Sequence, residues 1–304
     1  MSNKKKPAKK AVEKIVPDQN NTEEIQELNN DNVEKVVENN EVNNEDVEFL
    51  PKIGIIGAPK VCVCIPFLQA AAQGNELKYA LRSMQKNFRE DFTVVIIGDR
   101  PDWLSNAALH IEHNCMSKNP QVDVIDKIKN ILVTEEVSDK FVWTNDDIYF
   151  VSPVSLADIE TLKIVGELKE MPKVATVYSA NREKTIALLE KARLPTRNFA
   201  THLPIVFEKE KVLQLFEDFE ELNEGGYLFS SVYFNRHFAD WKPLLLDWVN
   251  DNWSLRLVSK NPDADKFKKI VNRSKWLNNA ESGYSEFLEK YLEKRFPEKS
   301  IFEI

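Results

Sequence analysis

The chain is 304 residues long, 42% hydrophobic, and carries a formal net charge of −8. That length and apolar share can bury a real core, as one large domain or two small ones. The acidic balance argues against a broad electrostatic grip on nucleic acid. Three cysteines, Cys62, Cys64 and Cys115, are too few for a disulfide framework and suit a reducing compartment.

Residues 1–50 pair a lysine-rich head, MSNKKKPAKK, with an acidic, asparagine-rich stretch that has few large apolar side chains. Such a segment buries too little to offset chain entropy and is expected to be a disordered tail. It reads as a solvated spacer or, alternatively, as an arm that docks a partner through Ile25, Leu28, Val33, Val36 and Val37. The basic start lacks the apolar stretch of a secretory signal, and no run of about 18 apolar residues follows to span a bilayer. A cytoplasmic protein is expected.

Folded character begins near residue 60. KVCVCIPFL is a β-branched run that reads as a strand with Cys62 and Cys64 pointing the same way, and GNELKYALRSMQKNF repeats apolar residues at helical spacing. FTVVIIGD is a second strand, ALHIEH a short third, and VDVIDKIKNILV an amphipathic helix that leads into the strand KFVW. This order predicts an α/β fold with a mostly parallel sheet flanked by helices, over residues 60–304. Residues 155–304 read as less regular and helix-rich: SLADIETLKIVGEL as a helix, KVATVYSA as a strand, and then helices over NREKTIALLEKAR, FEKEKVLQLFEDFEEL, GGYLFSSVYFNRHF, WKPLLLDWVNDNW and SGYSEFLEKYLEKRF.

In parallel sheets, ligands bind beyond the carboxyl ends of the strands. Three predicted strand ends carry special residues: Pro66, Gly98 with Asp99, and Asn145 with Asp146 and Asp147. Two adjacent carboxylates at the end of an apolar strand repel each other and need water, a cation or a basic partner. Such a pair suits Mg²⁺ or Mn²⁺, hard cations that share oxygen ligands with substrate phosphates. His110, His113 and Cys115 lack a fourth partner at zinc-site spacing and read as packing residues. Arg82 and Lys127 each have two readings, a contact to a diphosphate or an ion pair with a neighbouring acid. Asn119 and Asp123 read as caps of the helix that follows them. Trp143, Tyr149, Phe150 and Tyr233 stack on a base or fill the core.

GNELKYALRSMQKNF, VVIIGDRPDWL and FVWTNDDIYFVSPV, in that order, resemble the second conserved region of the stealth family. FATHLPIVFEKEKVLQLF is similar to that family's His-Pro region, and LEKRFPEKSIFE to its carboxyl-terminal ending, so the resemblance spans roughly residues 74–303. Stealth proteins are sugar-phosphate transferases with a GT-A-like core that use nucleotide-sugar donors. The resemblance therefore implies a GT-A-like transferase domain with Asp146 and Asp147 as Mn²⁺ or Mg²⁺ ligands. It further implies Glu76, Arg82, Asn145 and Asn235 near the donor, a UDP-sugar first among the candidates, while Asp99, on the rim after Gly98, reads either as a nucleotide contact or as part of a GDRP turn. Catalytic roles fall to His202, Asp147 and Arg236, with His202 read as a general base or phosphate contact or, alternatively, as a cap of the turn before Pro204. The family's aspartate-rich first region has no counterpart, and the first strand looks more like the opening of an ordinary glycosyltransferase. Transfer of the sugar itself, to a glycan, a protein or modified DNA, is thus the first expectation. Sugar-phosphate transfer for a capsular or exopolysaccharide, and a non-catalytic assembly role, are the alternatives.

Overall fold

A computed structural model describes residues 60–247, 252–255, 263–279 and 283–304. The expected tail lies outside the described residues. In chain order the elements begin with β1 (Val61–Phe67), α1 (Glu76–Asn87), β2 (Phe92–Gly98), β3 (Leu109–Glu112), α2 (Pro120–Val133), β4 (Lys140–Trp143) and β5 (Ile148–Phe150). Next come α3 (Leu156–Glu160), β6 (Lys163–Ile164), β7 (Gly166–Glu167), α4 (Val177–Lys191), β8 (Arg197–Asn198), β9 (Ile205–Glu208), α5 (Lys209–Asp218) and α6 (Phe229–His237). The last are β10 (Leu244–Leu245), β11 (Asn252–Leu255), α7 (Ala264–Val271), β12 (Trp276–Asn279) and α8 (Glu286–Arg295).

The central sheet has the order β3-β2-β1-β4-β9. Its first four strands are parallel, and β9 runs antiparallel to β4 at the edge. β1 is central, with Val63 opposite Val94 on one side and Val142 on the other. A strand covered on both faces reads as a continuous apolar run, which explains the VCVCIPF sequence. Alternation then sorts its side chains: Val63, Ile65 and Phe67 join one core, Cys62 and Cys64 the other.

Helices α1 and α8 cover the first face through Leu77, Leu81, Met84, Leu288 and Leu292. Helix α2 covers the second with Ile125, Ile128 and Ile131, beside α4, α5 and α6. Pro120 at the first turn and the Asn119 side chain, which accepts from the Gln121 amide at 3.0 Å, start α2. A smaller sheet, β11-β12-β5, pairs β12 antiparallel to β5 and carries Asn279 toward the end of β4.

Beyond residue 155 the chain departs from the expected helices and strand. SLADIETLKIVGEL is helical only over Leu156–Glu160 and then forms the short strands β6 and β7. Within KVATVYSA, Thr176 caps α4 by accepting from the Ser179 amide, so its last four residues are the first turn of a helix. WKPLLLDWVNDNW holds β10 and the start of β11, with no helix among its described residues. Among the described residues no helix is long and apolar enough to cross a membrane.

The carboxyl terminus is tied to α1. Arg82 donates from Nε to Glu303 Oε1 at 2.8 Å and from a terminal nitrogen to Oε2 at 2.7 Å, and a further nitrogen reaches the Phe296 carbonyl at 3.3 Å. This two-pronged pair is largely buried, so removing one partner strands the other. Arg82→Met is expected to lower unfolding stability by about 2–4 kcal/mol in a urea titration. An unchanged midpoint contradicts that role.

Candidate functional site

The chain leaves β1 outward to β2 and β3, then returns to β4 on the opposite side of β1. At such a reversal the connections diverge and open a crevice outside the carboxyl ends of the two strands. A cleft of about 220 Å³ lies there, lined by Pro66 and Leu68 from the end of β1, Gln73 and Glu76 at the start of α1, Lys127 from α2, Asp146 and Asp147 after β4, and Asn279 from β12.

The walls are fixed by hydrogen bonds. Gly98 ends β2 at φ +129, where an added Cβ would lie 2.0 Å from the Phe67 carbonyl oxygen, so only glycine fits that close approach. The Asp99 amide donates to the same oxygen at 3.1 Å. Its carboxylate accepts from the Gln69 amide at 2.8 Å, so Asp99 anchors the loop after β1 and does not itself line the cleft.

Glu76 is only 4% exposed. Its Oε2 accepts from the Gln73 amide at 2.7 Å and its Oε1 from Asn279 Nδ2 at 2.9 Å. Asn279 in turn accepts from the Tyr149 hydroxyl at 2.6 Å. The Gly74 and Asn75 end of the loop packs on Tyr284, whose hydroxyl accepts from the Asn75 amide at 3.1 Å.

Electrostatics single out Asp146. Burial, followed by the negative charge of Glu76, outweighs its own backbone amide and the Lys127 ammonium, and the carboxyl is pushed up to about 7. Lys127 is 3% exposed and donates to Asp123 Oδ2 at 2.7 Å. Burial alone would raise the Asp123 carboxyl, but hydrogen bonds from Lys127 and His113 hold it below the ordinary range. A cleft with three carboxylates and an ammonium already bonded to Asp123 is short of positive charge.

Among the described residues, no group of three or more histidine, cysteine or acidic side chains is placed to hold a metal ion. The Asp146–Asp147 tip still fits a cation of the Mg²⁺ or Mn²⁺ kind, because those ions take one or two carboxylates and complete their shell with waters and substrate phosphates. The raised Asp146 carboxyl marks a position that a divalent charge would relieve.

The other residues expected near a ligand are dispersed. Asn145 is half-buried between Thr144 and Asp146. His202 is exposed, adopts φ +50, and precedes β9, whose Ile205 pairs with Trp143; it therefore shares the rim with Asp146 and Asp147 without lining the cleft. Arg82 faces Glu303 instead. Asn235 is fully buried and ties α6 to β8 by donating to the Ser231 and Arg197 carbonyls, both at 2.8 Å. Arg236 pairs with Asp218 at 2.8 Å on the surface between α6 and α5.

Gln73 and Asn279 carried no motif and were invisible in the sequence. Lys127 did leave a signal, a cation spaced three and four residues from Val124 and Ile131 on the apolar stripe of α2. His110 donates to the Gly98 carbonyl at 2.9 Å and Cys115 to the Ser117 carbonyl at 3.3 Å, each held locally. A search of protein-family models finds no match to this chain, and a search of curated proteins finds none either.

A carboxyl raised by folding stabilises fully below its unfolded pKa of 3.8, and that contribution is lost as pH climbs through about 7. In cation-free buffer the loss amounts to about 4 kcal/mol, from roughly 3 pKa units at 1.36 kcal/mol each. Asp146→Asn is expected to flatten the fall in melting temperature between about pH 5 and pH 8. Millimolar Mn²⁺ is expected to raise the melting temperature of the unchanged chain at pH 8 but not that of the variant. Equal pH dependence in both proteins contradicts this assignment.

Proposed function

We propose that the chain is a divalent-metal-dependent glycosyltransferase with a GT-A-like fold, which takes the sugar of a nucleotide-sugar donor, a UDP-sugar first among them, to an acceptor hydroxyl. One observation carries the reading: two adjacent carboxylates, Asp146 and Asp147, enter the crevice at the point where the strand order reverses. The resemblance of residues 74–303 to stealth proteins supports the same donor class.

Asp146 and Asp147 would hold Mn²⁺ or Mg²⁺, which when bound supplies Lewis-acid stabilisation of a diphosphate leaving group. Glu76, locked by Gln73 and Asn279, keeps a fixed negative edge beside that tip and orients polar groups of the donor. The loop after β1, held by Asp99 and Tyr284, forms one wall of the crevice. In the transfer, the bond from the anomeric carbon to the diphosphate oxygen breaks as the acceptor oxygen bonds to that carbon. The acceptor proton passes to a base on the rim, where His202 stands exposed.

Incubating the full chain with UDP-, GDP- and CDP-sugars in Mn²⁺ and identifying the released nucleotide tests the reading. Free UDP is expected from a UDP-sugar, abolished by EDTA, whereas UMP would mark sugar-phosphate transfer. Asp147→Asn is expected to lower the rate by at least about 100-fold with the melting temperature preserved, the scale of losing a group that stabilises transition-state charge. Metal-independent turnover, or full activity in Asp147→Asn, overturns the proposal.

A further inference from the structure

The ammonium of Lys127 is buried in the cleft wall beside Glu76, Asp146 and Asp147. Among the described residues Asp123 is the single acceptor bonded to it, at 2.7 Å. An ammonium carries three donors and no acceptor. At 3% exposure little water reaches the other two, so they are left for whatever fills the cleft.

Asp123 does not stand alone behind the lysine. Its second oxygen accepts from His113 Nε2 at 2.9 Å. His113 Nδ1 accepts from Asn130 Nδ2 at 3.3 Å, which leaves the ring proton on Nε2, facing Asp123. Asn130 donates to His113, and His113 and Lys127 both donate to Asp123, so the four form one connected network that reaches the cleft at Lys127.

An ordinary i,i+4 ion pair on a helix sits in solvent and contributes a few tenths of a kcal/mol. This one is desolvated, which is costly unless the geometry is good and the remaining donors find partners. A phosphate oxygen supplies such a partner through a charge-assisted hydrogen bond.

Building on the donor reading above, we propose that Lys127 grips the phosphate oxygens of a nucleoside diphosphate in this cleft and that Asp123 and His113 are positioning residues that hold its ammonium there. The neighbouring carboxylates repel phosphate, so recognition needs both the lysine and the divalent cation. A ligand with vicinal phosphates satisfies both, and a neutral nucleoside satisfies neither.

Titration calorimetry on the full chain at constant Mn²⁺, with UDP, inorganic pyrophosphate and uridine as probes, tests this. The unchanged chain is expected to bind UDP, pyrophosphate more weakly, and uridine barely. Lys127→Met is expected to lose about 10- to 100-fold in affinity for both phosphates, the scale of a hydrogen bond between charged groups, and to leave uridine unchanged. Lys127→Arg is expected to recover most of the loss. His113→Ala is expected to raise the KM for the UDP-sugar several-fold with little change in kcat, and His113→Gln, which keeps a donor toward Asp123, to restore it. Should Lys127→Met unfold because Asp123 is left buried and unpaired, the double variant Asp123→Asn with Lys127→Met removes both charges and serves in its place. UDP binding that requires Mn²⁺ yet is equally tight without Lys127 overturns this inference alone. Failure of the unchanged chain to bind either UDP or pyrophosphate overturns it together with the donor reading.

Discussion

Everything at the site depends on β1 pairing in parallel with β2 on one side and β4 on the other. Because the chain approaches those neighbours from opposite directions, no connection can close over the gap between the ends of β1 and β4. The loop after β1 must swing aside to start α1, and the segment after β4 must turn away into β5. Asp146 and Asp147 form that turn, so their position follows from topology as much as from sequence. Gly98 serves the same constraint from the far side of β1, since its backbone lies against the Phe67 carbonyl and leaves no room for a side chain.

The cleft gathers carboxyl groups whose charge burial disfavours. An Asp146 carboxyl at about 7 is partly neutral near physiological pH, with burial and Glu76 both working against its charge. Glu76 is itself locked in place from two sides, by a backbone amide and by Asn279. Lys127 contributes positive charge, already bonded to Asp123. Such a cluster conflicts with the rule that buried charges should be satisfied, and conflicts of this kind in an otherwise consistent fold are expected at functional sites. Around it, the Arg82–Glu303 pair and the Tyr284 contact fasten the carboxyl-terminal segment to α1 and to the loop after β1.

The first half of the fold was readable because its elements are long and periodic. VCVCIPF and FTVVIIG are buried on both faces, and α1 and α2 repeat apolar residues at helical spacing, so composition and period agree. The rim followed from those strands, whose shared direction brings Pro66 and the aspartates to one end of the sheet. The second half was poorly readable because many of its elements are two to five residues long, where tertiary pairing overrides local preference. Lys163–Ile164 becomes a strand because β10 lies beside it, and Trp276–Asn279 because β5 does. Asn279 and Gln73 reach the site by such non-local packing, and nothing in their local sequence announces it. Arg82 and Asn235 show the converse: motif position suggested a ligand, while the fold uses one to hold the carboxyl terminus and the other to join α6 to β8.

The site thus reduces to a parallel-sheet switch point that presents an acidic tip, for which we propose a divalent cation and a diphosphate as joint ligands. Anomalous scattering from crystals grown with Mn²⁺ and UDP measures this most directly. A manganese peak is predicted between the carboxylates of Asp146 and Asp147, in contact with the nucleotide's phosphates. Manganese and nucleotide bound elsewhere, with that tip bare, would contradict it.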